Sequence, residues 1–170
     1  MNDRIAFMVI CFPLFLLAIM LHEIAHGWVA LRNGDPTAKY AGRLSLNPVV
    51  HVDPIGIIVY IITSYLGAGF GWAKPVPVNP LLYKEYRKGN IQVSLAGVTA
   101  NLLQVIAAAI IFKILILAGL HNMGKASELL FSAIYWYMQL NIVLFVFNLV
   151  PVPPLDGSHV LAMYLPRDAA

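Results

Sequence analysis

Charged side chains are scarce in this sequence. Asp, Glu, Lys and Arg together supply only 11% of the 170 residues, whereas 60% of the residues are hydrophobic. An average soluble domain carries about 25% charged residues. The shortage therefore excludes an ordinary soluble domain, and the mean hydropathy of +0.77 agrees. The sequence predicts an integral membrane protein in contact with a lipid bilayer.

Cysteine and clustered charge are also in short supply. Cys11 is the only cysteine, so no disulfide can form within the chain. The formal net charge of +3 comes from basic residues spread over the loops between apolar runs. That distribution is typical of topology determinants and argues against a nucleic-acid-binding surface. No internal repeat or low-complexity tract is present, so residues 1–170 are predicted to form one transmembrane domain.

Three long apolar runs account for most of the chain. The first, from Ile5 to Leu31, would form a helix about 40 Å long, enough to cross a bilayer with some tilt. The others cover Ile91 to Ala118 and Ser127 to Val150. Small and polar residues recur every three or four positions in the second run and are expected to face neighbouring helices. This stripe consists of Ser94, Gly97, Asn101, Gln104 and Ala108.

The region between the first two runs is unlike a membrane helix. Ala41 to Pro54 and Lys74 to Pro80 contain several prolines and are predicted to be extended, with short β-like patches. Ile55 to Trp72 is apolar but carries glycines, so it is expected to dip into the membrane or lie along it. The predicted fold is an all-α membrane protein with three long transmembrane helices, this membrane-dipping, partly extended or β-like segment, and a short C-terminal helix.

Two histidines and a glutamate stand near the end of the first run, in His22-Glu23-Ile24-Ala25-His26. Residues four apart on an α-helix share a face, so His22 and His26 could bind one metal ion. Glu23 lies beside them, where it could accept a proton from activated water without being a ligand. The alternative is three incidental polar residues. It is disfavoured because an ionisable side chain within a membrane span costs at least a few kcal/mol.

A catalytic zinc site needs a third protein ligand and keeps one position open for water. The candidates are His51, Asp53, His121, Asp156 and His159. Asp156 is favoured because it follows a helix end broken by prolines, which can turn a carboxylate back toward the first helix. His121 is disfavoured because the topology derived in the next paragraph puts it on the opposite side of the membrane from His22 and His26. His51 and Asp53 are interpreted as loop or rim residues, and His159 as supporting or exposed.

A shared metal also determines the topology. If Asp156 meets His22, the first and last long helices end on the same side of the membrane, and Ile91 to Ala118 supplies the return crossing. One side then carries Arg32, Lys39, Arg43, Lys74, Lys84, Arg87, Lys88 and Arg167, and the other carries Arg4 and Lys125. The positive-inside rule predicts that the active site faces the cytoplasm, about 13 Å below the surface.

Five stretches resemble the signatures of a known family. HEIAH, GVTAN (Gly97 to Asn101) and NLVPVPPLDG (Asn148 to Gly157) resemble the three signatures of the site-2 protease family of intramembrane zinc metalloproteases. HVDPIG and GWAKPVPVNP, beginning at His51 and Gly71, resemble its compact prokaryotic branch without a PDZ domain. Members commonly continue past the LDG segment into further spans, whereas this sequence ends fourteen residues after Asp156.

The resemblance implies a role for each candidate residue. The implied Zn²⁺ ligands are His22, His26 and Asp156. Glu23 would be the general base. Asn148 and Asn101 would belong to the substrate-binding site, with Asn148 contacting the substrate backbone or the developing oxyanion and Asn101 supporting the site from the middle helix. Either asparagine could instead serve only in packing between helices.

The implied function is regulated intramembrane proteolysis by a zinc endopeptidase of a prokaryotic cell membrane. Its substrates would be transmembrane segments of other membrane proteins. The segments Ala41 to Val52 and Lys74 to Asn79 are candidates to pair with an unwound substrate as an added strand. The alternatives are a membrane protein that binds or transports a metal ion and a catalytically inactive scaffold of the same fold.

Overall fold

The computed structural model describes residues 3–67, 69 and 71–165, and this part of the chain is helical without strands. Its α-helices are α1 (Asp3–Arg32), α2 (Thr37–Tyr40), α3 (Pro54–Tyr65), α4 (Tyr86–Leu117), α5 (Lys125–Leu149) and α6 (Asp156–Ala162). Short 3-10 turns occupy Pro48–His51, Pro80–Leu82 and Leu120–Asn122. The all-α prediction and the short C-terminal helix are confirmed.

Within the residues that the structure describes, three helices are long and apolar enough to cross a membrane. They cover Val9–Arg32, Tyr86–Leu117 and Lys125–Leu149, with 24, 32 and 25 residues. At about 1.5 Å per residue, each exceeds the roughly 30 Å hydrocarbon core of a bilayer. The prediction of a multi-pass membrane protein with three long spans is therefore confirmed.

Contacts between the long helices define their directions. In order along α4 these contacts are Val93 with His26, Asn101 with Asn141, Gln104 with Ala18, and Phe112 with Phe131. Residue numbers rise along α4 while they fall along α1 and α5. Helices α1 and α5 are therefore parallel to each other and antiparallel to α4. Their C-terminal ends lie together beside the first half of α4, as the topology argument requires.

The inner face of α4 is small and polar. All five members of the predicted stripe, from Ser94 to Ala108, are buried, and Asn101 is completely inaccessible. Leucine and isoleucine side chains on the outer face, such as Leu103 and Ile110, are exposed. This arrangement is typical of a membrane helix that presents hydrocarbon to lipid and polar groups to its neighbours.

The apolar segment between α2 and α4 contains a helix that the sequence did not predict. Helix α3 has 12 residues. Its length of about 18 Å is too short to cross a bilayer, which agrees with the predicted topology. Tyr60 stacks on Phe15 of α1 with ring centroids 4.4 Å apart, while Ile58 and Ile62 are exposed. The glycines do not break α3, because Gly67 and Gly69 follow it in left-handed turns.

The predicted β-like patches do not form in the described residues. Residues 71–79 have no regular secondary structure, and residues 48–51 form a 3-10 turn. Pro75 and Pro77 supply no backbone N–H, so a regular strand ladder cannot form along the edge of the chain on which residues 75 and 77 would donate. Neighbouring N–H groups bind side chains or an isolated carbonyl, such as Lys74 N to His51 O at 2.9 Å.

The connection from α1 to α4 and the two helix ends that flank it contain seven of the eight basic residues on the predicted cytoplasmic side. The connection includes Lys39, Arg43, Lys74 and Lys84, and it lies between the C-terminal end of α1 and the N-terminal end of α4. Arg167 lies outside the described residues. Lys125 begins α5 at the other end of the helices.

Candidate metal centre

Three potential metal ligands converge where α1, α4 and α6 meet. The Nε2 atoms of His22 and His26 are 3.0 Å apart, and each lies 3.3 Å from Oδ2 of Asp156. The two histidines lie one turn apart on α1, and Asp156 is the first residue of α6. The structure therefore brings together both histidines of the HEIAH motif and the aspartate favoured from the sequence.

The chemistry of these three atoms suits a cation between them. The Val93 carbonyl can only accept, so His26 Nδ1, which lies 2.7 Å away, must be the donor. His26 Nε2 is then left with a lone pair that faces the Asp156 carboxylate. Asp156 Oδ2 is buried and has no hydrogen-bond partner among the described residues. Acceptors packed this closely repel one another unless a positive ion lies among them.

The spacing fits zinc. Tetrahedral zinc with bonds of about 2.0–2.1 Å places neighbouring ligand atoms about 3.3–3.4 Å apart. The observed separations of 3.0, 3.3 and 3.3 Å are close to that value. Two imidazole nitrogens and one carboxylate oxygen also form a ligand set found in catalytic zinc sites, with a fourth position open.

Gly97 on α4 is required for this convergence, whereas sequence reasoning assigned it only to the small and polar stripe and to the GVTAN motif. A Cβ atom at residue 97 would lie 2.4 Å from Nε2 of His26 and 2.6 Å from Nε2 of His22. The imidazoles therefore rest directly on the backbone of α4. The GVTAN motif contained the signal, but a contact between two helices cannot be read from either one alone.

The turn after α5 places Asp156. Helix α5 ends at Leu149, and prolines at 151, 153 and 154 prevent it from continuing. A Cβ atom on Gly157 would lie 2.3 Å from the Leu149 carbonyl oxygen, so glycine lets α6 pack against the end of α5. This close approach turns the Asp156 carboxylate back toward α1, as the proline-broken helix end led us to expect.

Glu23 faces the same cavity as the three candidate ligands. The cavity has a volume of about 310 Å³, and its lining includes His22, Glu23, Asn148 and Asp156. Glu23 Oε2 accepts a hydrogen bond of 2.7 Å from the backbone N–H of Val76. Residues 74–79, here called the 74–79 segment, therefore pass along the site and contact the candidate general base directly.

Two buried charged side chains fix the 74–79 segment, and sequence reasoning assigned neither to the site. Arg43 donates through Nη2 to the carbonyl of Lys74 and, at 3.2 Å, to that of Pro75. Asp35, completely buried, accepts from the backbone N–H of Asn79 at 2.6 Å. Their positions in a turn and a loop indicated turn formation and topology, not these contacts.

Asp35 is held in its ionised form. Burial alone would raise the pKa of its carboxyl group, but hydrogen bonds from the backbone of Asn79 and from Thr37 outweigh burial. The pKa therefore lies below its ordinary value. Because the ionised group makes these bonds, the stability it contributes is fully present near neutral pH and is lost only in strong acid.

The other candidate residues occupy different positions. Asn101 is completely buried and places Oδ1 2.6 Å from His22 Nδ1, so it contacts a candidate ligand and not the cavity. Asn148 lines the cavity and donates to Leu144 O at 2.9 Å. His51 is buried against Ser45 O, and Asp53 caps α3 through Gly56 N. His159 is exposed at the cavity edge, and His121 lies in the turn before α5.

Comparison with known proteins identifies the family. Residues 10–168 match the family model described as Peptidase family M50. The chain belongs to peptidase family M50. The resemblance to site-2 proteases seen in HEIAH, GVTAN and the segment ending in LDG is thereby confirmed, and zinc is the metal of this family.

Curated relatives in the M50 family carry names that begin "Putative zinc metalloprotease". YwhC of Bacillus subtilis is 39% identical over 151 residues, covering 89% of this chain and 67% of its own length. Rip2 of Mycolicibacterium smegmatis is 32% identical, with 89% and 55% covered. MJ0611 of Methanocaldococcus jannaschii is 28% identical, with 91% and 72% covered. The chain thus spans between about half and three quarters of these relatives. No solved structure matches it.

Proposed function

We propose that this protein is a zinc-dependent intramembrane endopeptidase that cleaves transmembrane segments of other membrane proteins. The observation that carries the proposal is the convergence of Asp156 of α6 at tetrahedral spacing on His22 and His26 of α1, a helix long enough to cross a bilayer. His22 lies nine residues before Leu31, which corresponds to about 13 Å along the helix. A site at that depth suits peptide bonds within a membrane.

The chemistry follows from the residues around the cavity. Zinc bound by His22, His26 and Asp156 would supply a Lewis acid that polarises a peptide carbonyl and lowers the pKa of water. Glu23, one residue after His22, accepts the proton of the attacking water on its carboxylate and then delivers it to the leaving amine. Asn148 lines the same cavity, where its amide contacts the substrate backbone.

The 74–79 segment is proposed to bind the substrate in an extended form. A transmembrane helix satisfies its own carbonyls, so it must unwind locally before cleavage. Val76 and Val78 both line the cavity, and alternate residues of an extended chain face the same side. In the described part of the chain, the N–H of Val78 has no protein partner. It is therefore available to a substrate carbonyl. That carbonyl would lie close to Glu23, which accepts a hydrogen bond from the N–H of Val76.

Val78→Pro tests the role of this N–H group. Proline removes the donor and suits extended backbone, so zinc content is expected to stay unchanged while cleavage falls by about tenfold or more. Val78→Ala, which shortens the side chain and keeps the N–H, serves as the matched control and should retain most activity. The comparison uses initial cleavage rates and zinc content of the purified proteins. Equal rates for the two variants would remove the strand-pairing proposal.

The orientation is also proposed. Basic residues concentrate at the end of the helix bundle that holds the candidate metal centre, and the positive-inside rule places that end in the cytoplasm of a prokaryotic cell. A cysteine-accessibility experiment with Lys39→Cys and Lys125→Cys tests this. An impermeant thiol reagent applied to intact cells should label residue 125 and spare residue 39, and the reverse pattern would overturn the orientation.

Cleavage in a reconstituted system tests the function itself. The purified protein is placed in vesicles with single-span test substrates whose transmembrane segments carry helix-weakening residues. We expect cleavage within the transmembrane segment, loss of cleavage on treatment with a chelator, and recovery on addition of Zn²⁺. Zinc binding without cleavage of any substrate in the set would favour the metal-binding or scaffold alternatives.

A further inference from the structure

A line of buried amide groups joins α5 to the candidate metal centre. Asn141 of α5 donates through Nδ2 to the Tyr137 carbonyl at 3.0 Å. Its Oδ1 accepts from Nδ2 of Asn101 on α4 at 2.8 Å. Oδ1 of Asn101 lies 2.6 Å from Nδ1 of His22 on α1. Asn101 and Asn141 are both completely inaccessible to solvent.

The Tyr137 carbonyl, at the end of the line farthest from the metal centre, determines the direction of every hydrogen bond in it. The Tyr137 carbonyl can only accept, so the NH₂ group of Asn141 must face it. Oδ1 of Asn141 then faces Asn101 and requires the Asn101 NH₂ group there. Oδ1 of Asn101 is left facing His22, so His22 must carry its proton on Nδ1. The lone pair of His22 is thereby placed on Nε2, the atom nearest Asp156.

The two histidines differ in how this protonation pattern is secured. His26 donates to the backbone carbonyl of Val93, whose orientation is fixed because Val93 lies within α4. His22 instead faces a side-chain amide, and an amide rotated by 180° would present NH₂ to the ring. That rotation would favour the wrong tautomer, with the proton on Nε2. A second group is therefore needed to hold the amide of Asn101.

We infer that Asn141 is a positioning residue for the metal centre: through Asn101 it keeps the proton of His22 on Nδ1 and leaves Nε2 free to bind zinc. It touches neither the cavity nor the three ligands and acts across two helix interfaces. The inference rests on the proposed zinc site, but the tautomer of His22 can be measured without metal.

Two substitutions of Asn141 distinguish the role of its Oδ1 as acceptor for Asn101 from the contribution of its volume to packing. Asn141→Leu keeps a similar volume and removes the acceptor, so the Asn101 amide is free to turn. Asn141→Asp keeps an oxygen facing Asn101, and a carboxyl group buried at this depth takes up a proton and can still donate to Tyr137. The matched control is Gln104→Leu. It removes the bond that Gln104 donates to the Ala18 carbonyl and the bond that it accepts from the Tyr137 hydroxyl, in the same three-helix interior, and it leaves in place the Tyr137 backbone carbonyl to which Asn141 donates.

The first measurement reads the tautomer in the metal-free protein. Solid-state NMR of the ¹⁵N-histidine-labelled protein in bilayers shows which ring nitrogen of His22 is protonated, with the signal assigned by its loss in His22→Gln. We expect a protonated Nδ1 in the wild type, Asn141→Asp and Gln104→Leu, whether or not Nε2 also carries a proton in the absence of metal, and a population with unprotonated Nδ1 in Asn141→Leu. A wild-type His22 with an unprotonated Nδ1, or no change in Asn141→Leu, would overturn the inference even if the protein is a zinc protease.

The second measurement is zinc affinity, determined by competition with a chelator. Loss of an outer partner of a metal-binding histidine typically weakens binding by about 10- to 100-fold. We expect that loss for Asn141→Leu, with Asn141→Asp and Gln104→Leu close to the wild type. Equal loss in Gln104→Leu would assign the effect to helix packing and contradict a positioning role. Failure of all variants and the wild type to bind zinc would instead refute the proposed function.

Discussion

Glu23→Gln is expected to abolish cleavage while the protein keeps its zinc. Glutamine cannot take up the proton of the attacking water, and general acid–base catalysis typically contributes about 10²- to 10⁴-fold to the rate. The amide oxygen of glutamine can still accept the hydrogen bond that Val76 N–H donates to Glu23, so the 74–79 segment should not move. The measurements are the cleavage rate and zinc per chain of purified protein.

The control for this variant is Glu85→Gln, which removes an exposed carboxylate that pairs with Lys88, away from the site. It should retain wild-type activity. The ion-carrier alternative makes a different prediction for residue 23, because a carrier needs the three ligands and not a base beside them. A Glu23→Gln protein that still cleaves would contradict the mechanism, and one that loses zinc would show that Glu23 is itself a ligand.

Gly97→Ala is expected to remove zinc and activity together. The added methyl group would overlap both Nε2 atoms, at 2.4 and 2.6 Å, and neither imidazole can move away without losing its hydrogen bond to α4. We expect zinc affinity to fall by about 100-fold or more, beyond the usual effect of a residue that only supports a ligand. Competition with a chelator measures the affinity, and circular dichroism checks that the helices remain.

A second small change in α4 serves as the control for Gly97→Ala. Ala108→Ser adds one heavy atom to the same buried face, eleven residues further along the helix and away from the ligands. It should bind zinc as the wild type does. Normal zinc binding by Gly97→Ala would mean that the imidazoles do not rest on α4 as described, and the arrangement of α1 against α4 would have to be revised.

The features predicted well from the sequence are those determined within one helix. The spacing of His22 and His26 places both on one face, and the buried stripe of α4 follows from its period. Asp156 could be favoured because the proline-broken helix end and the ligand count of a catalytic zinc site both pointed to it. Each of these inferences uses residues close in the chain or a general property of zinc.

The contacts that sequence reasoning missed join residues far apart in the chain. Glu23 meets Val76 across 53 positions, Asp35 meets Asn79 across 44, and Arg43 meets Lys74 across 31. Each side chain also has an ordinary local explanation, as an acid near a histidine, a turn former or a topology determinant. Only the packing of the loops against α1 shows that they position the 74–79 segment.

Helix α3 was missed for a different reason. Glycines are unfavourable inside helices, so Gly56, Gly67, Gly69 and Gly71 together favoured irregular structure over Ile55 to Trp72. In the structure Gly56 lies in the first turn, where a Cβ would lie 2.1 Å from the Trp72 carbonyl, and the others follow the helix. The glycines permit close packing and turns at the ends of α3. The residues from Ile57 to Tyr65 are mostly apolar and form a regular helix.

The central claim is that two imidazoles from α1 and one carboxylate from α6 bind a single zinc ion. X-ray absorption at the zinc edge, combined with metal analysis of the purified protein, tests it most directly. The account predicts one zinc per chain with two imidazole nitrogens and oxygen ligands at about 2.0–2.2 Å, and loss of the metal in Asp156→Ala. A protein without zinc, or zinc whose ligand shell is unchanged in Asp156→Ala, would contradict it.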